Sequence, residues 1–294
     1  MNPGKMLFRS AEGLPRRTGW LQAVLLVLLL GLVYSEILAG LLRDWWFDDN
    51  YSHGFLVPVF AVWVLWQRRK RIAALPPKPS WFGLFVIAAA LAMLIAGVLG
   101  AELFLSRSSF LFVLAGLVIY FLGWQHLRAM LFPWGFLFLM IPIPAILYNQ
   151  FAFPLQTLAS WVAAWLFGLV GVPVLREGNV IRLPAMTLEV AEACSGIRSL
   201  ISLGTLAIIY GYFFEPRIRR RLLLVLAAVP VAVVANGLRI MGTGLLGEYW
   251  SPDKAQGFFH SFSGWVIFIF SSGMFFSFHC AMRLVDQLRG ARET

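Results

Sequence analysis

The sequence predicts an all-helical integral membrane protein with about eight transmembrane helices. Hydrophobic residues make up 60% of its 294 residues, well above the roughly 45 to 50% that is typical of soluble domains. Mean hydropathy is +0.79, and the apolar residues are gathered into runs of the length that crosses a bilayer. We therefore interpret residues 1–294 as a single multi-pass membrane domain.

The basic residues indicate membrane topology and not a nucleic-acid partner. The net charge is +10, but Lys and Arg occur in short runs between apolar segments, without the basic stripe that nucleic-acid binding requires. Such runs mark cytoplasmic loops. With both termini inside, cytoplasmic segments carry most of the 24 Lys and Arg and few of the 14 acidic residues. We expect the lipid bilayer as a partner and no nucleic acid.

Eight apolar runs account for the predicted spans. They lie at about Trp20–Leu42, Gly54–Trp66, Trp81–Gly100, Phe110–Gly123, Leu127–Pro142, Ser195–Phe213, Leu222–Ile240 and His260–Met282. A further apolar stretch, Leu155–Val174, is predicted to be interfacial or re-entrant, because one more crossing would put the basic EPRIRRR loop outside. After it, REGNVIRLPAMTLEVAEA alternates in the way a β-hairpin does. We expect this small hairpin on the extracytoplasmic side.

Three groups of polar residues fall at the outer interface in this topology. Cys194 opens the sixth span, Arg239 closes the seventh and His260 opens the eighth. Taken singly, the cysteine also fits a packed core residue, the arginine an interface anchor and the histidine a helix cap. Their common depth favours a site, because polar side chains at membrane level are costly and tend to be functional.

The residue types are those of acyl transfer. A thiolate attacks a carbonyl, and a helix N-terminus and a nearby cation such as Arg198 lower the pKa of a thiol from its usual ~8.5. His260 is the candidate general acid and base. Arg239 is the candidate oxyanion clamp. Asn236, one turn before it, is expected to hold it or to contact substrate.

The segment WFDDNYSHG is the rival site. Asp48, Asp49 and His53 could bind a divalent metal, or His53 could replace His260 as the general base. Adjacent aspartates and one histidine offer neither the spacing nor enough ligands for a metal, so we expect no metal and no cofactor. A supporting role for Tyr51 and His53 at the rim of the site is favoured.

The motifs EACSGIRSL, ANGLRI and FFHSFSGW, in this order at the outer ends of spans, resemble the exosortase family of bacterial membrane transpeptidases. YSHGFLVP, IPIP, PLQTLASW and GVPVLREGNVIRLP extend the resemblance over about Trp45–Trp265. It implies a catalytic triad of Cys194, Arg239 and His260. It also implies a cysteine protease or transpeptidase in the bacterial inner membrane, with its active site facing the periplasm.

The resemblance further implies the substrates. They would be exported proteins with a C-terminal sorting tail, made of a Pro-Glu-Pro type signal, one transmembrane helix and a basic cluster. The acidic residue of such a signal needs a cation, and by its charge Arg198 is the candidate partner. Cleavage would form an acyl-enzyme that is passed to another acceptor; transfer and plain hydrolysis stay open, as do the setting in exopolysaccharide production and the oligomeric state. One alternative is a multi-pass transporter, for which paired broken helices and midplane charges are expected, and neither is evident in the sequence. The other is a protein that handles lipid-linked saccharides of the exopolysaccharide pathway.

Overall fold

The computed structural model describes residues 16–48, 50–190, 197–250 and 252–290. The chain is 81% helical, which confirms the predicted helical class. The α-helices of the described part are α1 (Arg16–Val33), α2 (Ser35–Phe47), α3 (Leu56–Ala73), α4 (Phe82–Leu99), α5 (Leu103–Phe121), α6 (Trp124–Phe136), α7 (Ala145–Leu169), α8 (Ile197–Phe214), α9 (Ile218–Tyr249) and α10 (Pro252–Gly290). Short 3₁₀ turns cover Ser52–Phe55 and Leu137–Met140, and three strands are β1 (Leu175–Glu177), β2 (Val180–Arg182) and β3 (Thr187–Glu189).

Several of these helices are long and apolar enough to cross a membrane. Within the described ranges they number five: Phe82–Leu99, Leu103–Phe121, Ala145–Leu169, Ile218–Tyr249 and Val266–Val285. A sixth candidate is the pair Val24–Val33 and Ser35–Phe47, which is bent by 67°. The multi-pass membrane class is therefore confirmed, whereas the predicted count of eight spans is not reproduced.

Three of the predicted spans, the second, the fifth and the sixth, account for the difference. The predicted second span became α3, whose last turns carry a run of basic residues that makes the helix less apolar. The predicted fifth span is broken into α6, with only 13 residues and Pro133 inside it, and the 3₁₀ turn Leu137–Met140. Proline removes a backbone donor and crowds the turn before it, but α6 runs through Pro133 to Phe136 and the 3₁₀ turn begins only at Leu137. The sixth span is the shorter apolar helix Arg198–Phe214.

Helix α7 begins before the stretch Leu155–Val174 that was expected to be interfacial or re-entrant, and covers it as far as Leu169. It is one helix of 25 residues with Pro154 inside it, about 37 Å long at ~1.5 Å per residue. Its length and composition would permit a crossing. Whether Leu155–Val174 crosses is a matter of its depth in the bilayer, so the interfacial placement stays a prediction.

The chain divides into two compact units, and the first contains the described residues up to Phe47 together with Lys70–Trp134. Here α4 and α5 pack closely side by side. A Cβ on Gly83 would lie only 2.6 Å from the carbonyl oxygen of Gly116. Close approach of the two backbones therefore requires glycine at this position.

Buried polar contacts tie α5 of the first unit to α2 and to the break that precedes it. Arg107, which is 5% exposed, forms an ion pair of 2.6 Å with Asp44. The hydroxyl groups of Tyr34 and Ser109 lie 3.1 Å apart. Because Tyr34 stands between α1 and α2, this hydrogen bond holds the bend of the first helical pair.

The second unit contains the described residues of 48–69 and 135–294. Helix α9 is its centre, since α7, α8 and α10 all pack against it. Two apolar clusters join these elements. One combines α8, α9 and Phe275 of α10, and the other combines α7, the sheet and the C-terminal half of α9.

The three strands form one antiparallel sheet in the order β1-β2-β3. Ile181 of β2 is fully buried against α7 and α9. The turn between β2 and β3 is anchored where the backbone amide of Ala185 donates to the Glu248 carboxylate of α9 at 2.9 Å. The strand pairing predicted from the alternating pattern is present with a third strand added, and its side of the membrane stays a prediction.

Candidate active site

The three residues proposed for the triad differ in how far the structure describes them. Cys194 lies outside the described residues. The backbone of His260 lies in α10, and its side chain is outside the described part. Arg239 is fully described and lies on α9. The surroundings of the described neighbours therefore define the candidate site.

Arg239 lies on the part of α9 that packs against the sheet. Its neighbour Ile240 belongs to a buried cluster with Phe167 of α7, Ile181 of β2 and Val190. Consecutive Cα atoms are 3.8 Å apart, so the cluster fixes the backbone of Arg239 beside the sheet. The hydroxyl group of Thr243 also donates to the carbonyl oxygen of Arg239 at 2.9 Å.

Val190 connects this cluster to the proposed nucleophile. Its backbone amide donates to the carbonyl oxygen of Asn179 at 2.9 Å. The side-chain nitrogen Nδ2 of Asn179 donates in turn to the carbonyl oxygen of Val190 at 3.3 Å. Val190 is the last described residue before Cys194, which follows four positions later in the sequence. The described chain therefore ends, on this side of Cys194, in the cluster that contains Ile240, the neighbour of Arg239.

The helices around α9 bring further predicted residues to the same end of the second unit. Counted from the α8–α9 turn, Arg198 lies about 24 Å along α8, and Asn236 and Arg239 lie about 27 and 31 Å along α9, at ~1.5 Å per residue. Counted from the α9–α10 turn, the backbone of His260 is level with that of Met241. Phe275 of α10 lies in one buried cluster with Leu224 and Ala228 of α9, which agrees with this alignment of the two helices.

Asn236 occupies the face of α9 that is turned to the protein interior. Its side chain is 1% exposed. The next residue is Gly237, where a Cβ would lie 3.0 Å from Cβ of Val162 on α7. Because Gly237 has no side chain, α7 packs directly beside Asn236. This packing fits a role for Asn236 as a structural support of the helical turn that carries Arg239.

Arg198 is held by the loop that sequence reasoning had treated as a rival site. Its Nε donates to Oδ1 of Asn50 across 2.9 Å, although the two residues are 148 positions apart. The backbone amide of Asn50 in turn donates to the Asp48 carboxylate at 2.9 Å. Asp48 therefore stabilises a turn in this structure, and Asp49 lies outside the described residues.

Tyr51 and His53 lie in the same loop and are packed inward. Tyr51 is 9% exposed, and its ring centroid lies 6.4 Å from that of His53. The His53 Nε2 lies 3.1 Å from the Leu139 carbonyl oxygen and must be the donor, because a carbonyl only accepts. Burial lowers the pKa of His53, and the backbone groups of Leu139 and Asn50 oppose this.

Nδ1 of His53 is buried and has no hydrogen bond of full geometry to the residues that the structure describes, although the Asn50 backbone lies close enough to raise the pKa of the ring. The predicted supporting position of Tyr51 and His53 next to the Arg198 helix is compatible with these contacts. No group of three or more His, Cys, Asp or Glu able to hold a metal occurs within the described ranges.

Two features of the second unit were missed by sequence reasoning. Asn50 was not selected, although it follows two aspartates in a polar loop between apolar runs. The other is a buried cluster around Glu215, which is the only acid in the basic segment EPRIRRR. His279 donates to Glu215 at 2.7 Å, and Arg220 and Arg283 each lie 3.5 Å from the same carboxylate.

Comparison with protein families identifies the chain. Residues 45–277 match the model of the transmembrane exosortase family. The chain belongs to the exosortase family. No curated protein and no solved structure matches it significantly.

The exosortases are a membrane-embedded family of proteases and transpeptidases that act on proteins with sorting signals. The matched range includes Cys194, Arg198, Arg239 and His260. It also includes the loop around Asn50. The family match thus supports the expected membrane enzyme of the exosortase type. The chemistry of the site has to be argued from its individual residues.

Proposed function

We propose that this exosortase is a cysteine transpeptidase or protease that cleaves the C-terminal sorting tails of exported proteins. The observation that carries the proposal is the common cluster of Val190 and Ile240. This cluster joins the segment that leads to the Cys194 thiol to the helical turn that carries Arg239, a permanently charged residue. The chain also belongs to a family of membrane proteases. The catalytic residues of the proposal are Cys194, Arg239 and His260.

The first half of the reaction forms a thioester. The Cys194 thiolate attacks the carbonyl carbon of the scissile peptide bond, and the oxygen becomes an oxyanion. The guanidinium of Arg239 stabilises that charge, which is typically worth about 3 kcal/mol for one such donor. His260 gives a proton to the leaving nitrogen as the C–N bond breaks, and the sorting tail departs with a free amine.

The second half releases the product. His260 takes a proton from the incoming nucleophile, which attacks the thioester carbonyl and displaces the sulfur. With an amine acceptor the exported protein is joined through a new amide bond, and with water it is freed as a carboxylate. We propose transfer to an acceptor other than water, because storing the carboxyl group as a thioester keeps it activated for transfer.

The bilayer supplies much of the alignment. A Pro-Glu-Pro type tail has its own transmembrane helix, so its signal emerges at the same interface as the proposed site. This raises the effective concentration of the scissile bond near the thiol. In the proposed orientation the site faces the periplasm from the bacterial inner membrane, and Arg198, Asn236, Tyr51 and His53 contact the substrate or support those that do.

Replacement of the cysteine tests the proposal. The chain has only two cysteines, and Cys280 is exposed on α10. We expect Cys194→Ala to leave a tail-bearing reporter uncleaved in membranes, and Cys280→Ala to cleave it at the unaltered rate. Full cleavage by the Cys194→Ala chain would refute the cysteine mechanism, and altered solute uptake with normal cleavage would favour the transporter alternative.

A further inference from the structure

We propose that Asn50 is a positioning residue that orients Arg198 toward the acidic residue of the sorting signal. This inference rests on the proposed function, since it names a determinant of the same site's specificity. It starts from a hydrogen bond between Asn50 Oδ1 and Arg198 Nε, which joins the polar loop after α2 to the beginning of α8.

The geometry of that bond fixes the guanidinium group. A guanidinium is planar, and Nε lies next to the flexible stem, so a hydrogen bond at this atom restrains the plane in which the two terminal nitrogens lie. Arg198 is partly exposed, with its helix beginning one residue earlier. A restrained arginine recognises a carboxylate with less loss of side-chain entropy than a free one.

Asn50 is itself held firmly. Its backbone amide is bonded to the Asp48 side chain, and the amide of Tyr51 donates to the Asp48 carbonyl at 2.9 Å. The next turn closes where Gly54 donates to the Tyr51 carbonyl at 2.8 Å. His53 then fixes the loop to Leu139 at 3.1 Å.

The chemistry of the residue matters as much as its position. The loop contains the run Asp48, Asp49 and Asn50, and the residue that accepts from Nε of Arg198 in this bond is a neutral amide. An amide oxygen accepts the hydrogen bond without a charge of its own, so this bond restrains the guanidinium without neutralising it. A carboxylate at position 50 would compete with the substrate for the same cation.

Binding of sorting-tail peptides to the purified full chain tests the inference without turnover. The chain carries Cys194→Ala, and the probe is a labelled peptide with the signal, the transmembrane helix and the basic cluster. One peptide has Pro-Glu-Pro and the other Pro-Gln-Pro. We expect the glutamate peptide to bind about tenfold more tightly, as for a charge-assisted hydrogen bond.

The substitutions of Asn50 should act on this preference. Asn50→Ala should reduce the Glu/Gln affinity ratio to about threefold, because the guanidinium is no longer restrained. Asn50→Asp should reduce it to about one or below, because the new carboxylate neutralises the cation. In an Arg198→Gln background, Asn50→Ala should have no further effect, as expected when one residue acts only through the other.

Matched controls separate positioning from folding. Asn149→Ala replaces another asparagine, on α7, and should leave the ratio unchanged. A purely structural role of Asn50 would weaken both peptides equally and leave their ratio intact, and that result overturns the inference. Equal binding of both peptides by the chain with Asn50 and Arg198 intact also overturns it. A failure of the proposed function itself is detected by the separate cleavage assay, in which the Cys194→Ala chain would still cleave the tail.

Discussion

Nε2 of His279 lies 2.7 Å from Oε1 of Glu215, with 3% and 0% of the two side chains exposed. The carboxylate can only accept, so the proton of this bond is on Nε2, and Nδ1 meets the Tyr210 hydroxyl group at 2.7 Å. Arg221 also donates to the backbone carbonyl of Glu215 at 2.7 Å. The turn between α8 and α9 is thus built around one buried acid, which joins both helices to α10.

Removal of this acid should destabilise the second unit. Glu215→Ala leaves His279 and Arg220 without their buried counter-charge, and breaking a buried ion pair typically costs about 3 kcal/mol. Thermal unfolding in detergent measures the loss. Glu177→Ala is the matched control, because its pair with Arg182 is 53 to 58% exposed and such pairs contribute about 0 to 1 kcal/mol. Equal unfolding temperatures for Glu215→Ala and the parent chain would contradict the role of the cluster.

The same carboxylate predicts a dependence of stability on pH. Burial alone would raise the pKa of Glu215, but the hydrogen bond and charge of His279 and the charges of Arg220 and Arg283 lower it below its ordinary 4.5. A lowered pKa means that the unfolded chain takes up the proton first, so the stabilisation is fully present above the ordinary value and is lost as the pH falls through the folded value. The difference in unfolding temperature between the parent chain and Glu215→Gln should therefore shrink as the pH falls below about 4.5. A constant difference down to pH ~3 would argue against this linkage.

The contact between α9 and the sheet predicts a contrast between two glycines. A Cβ on Gly244 would lie 2.9 Å from the Leu183 and Leu188 side chains and would also overlap Phe167, whereas Gly242 has nothing within 4 Å. Gly244→Ala should lower stability by about 1 to 3 kcal/mol, as overpacking does, and should slow tail cleavage by shifting the Arg239 turn. Gly242→Ala should be neutral or slightly stabilising, since alanine favours helix. Similar behaviour of both variants in unfolding and cleavage assays would be evidence against this packing.

Conservative replacement of Arg239 should abolish most of the activity. Lysine keeps the charge but lacks the planar, directional donors of the guanidinium, and loss of one oxyanion donor typically costs about 100-fold or more in rate. Pulse–chase cleavage of a tail-bearing reporter gives the rate. Arg182→Lys, an exposed arginine on β2, should cleave at the parent rate. An Arg239→Lys chain with normal cleavage would remove Arg239 from the proposed mechanism.

Composition and pattern were sufficient for the membrane class, the helical content and the strands around Ile181, because these depend on local hydrophobic periodicity. They were insufficient for the change from α6 to a 3₁₀ turn at Leu137 in the fifth predicted span, because hydrophobic periodicity carries no information on contacts between segments distant in sequence. The same reason explains the site. Motifs pointed to Arg198 and Arg239, but the Asn50–Arg198 bond spans 148 positions, and a lone asparagine carries no sign of its partner.

The acid in the segment EPRIRRR is a second example of a residue whose role the sequence pattern does not reveal. The segment predicts a cytoplasmic loop by its charge, and nothing in the count distinguishes its one acid from a solvated residue. Only the approach of α10, with His279 and Arg283, makes Glu215 a buried centre.

The proposed mechanism depends on acylation of Cys194 by the substrate. Mass spectrometry of the Cys280→Ser chain, after brief incubation with a sorting-tail substrate and rapid acid quenching that preserves thioesters, detects this step. We expect a thioester adduct on the peptide that contains Cys194, with the mass of the substrate upstream of the cut, and its disappearance on treatment with hydroxylamine. Cleavage of the tail with Cys194 unmodified, or an adduct at a different residue, would contradict this mechanism.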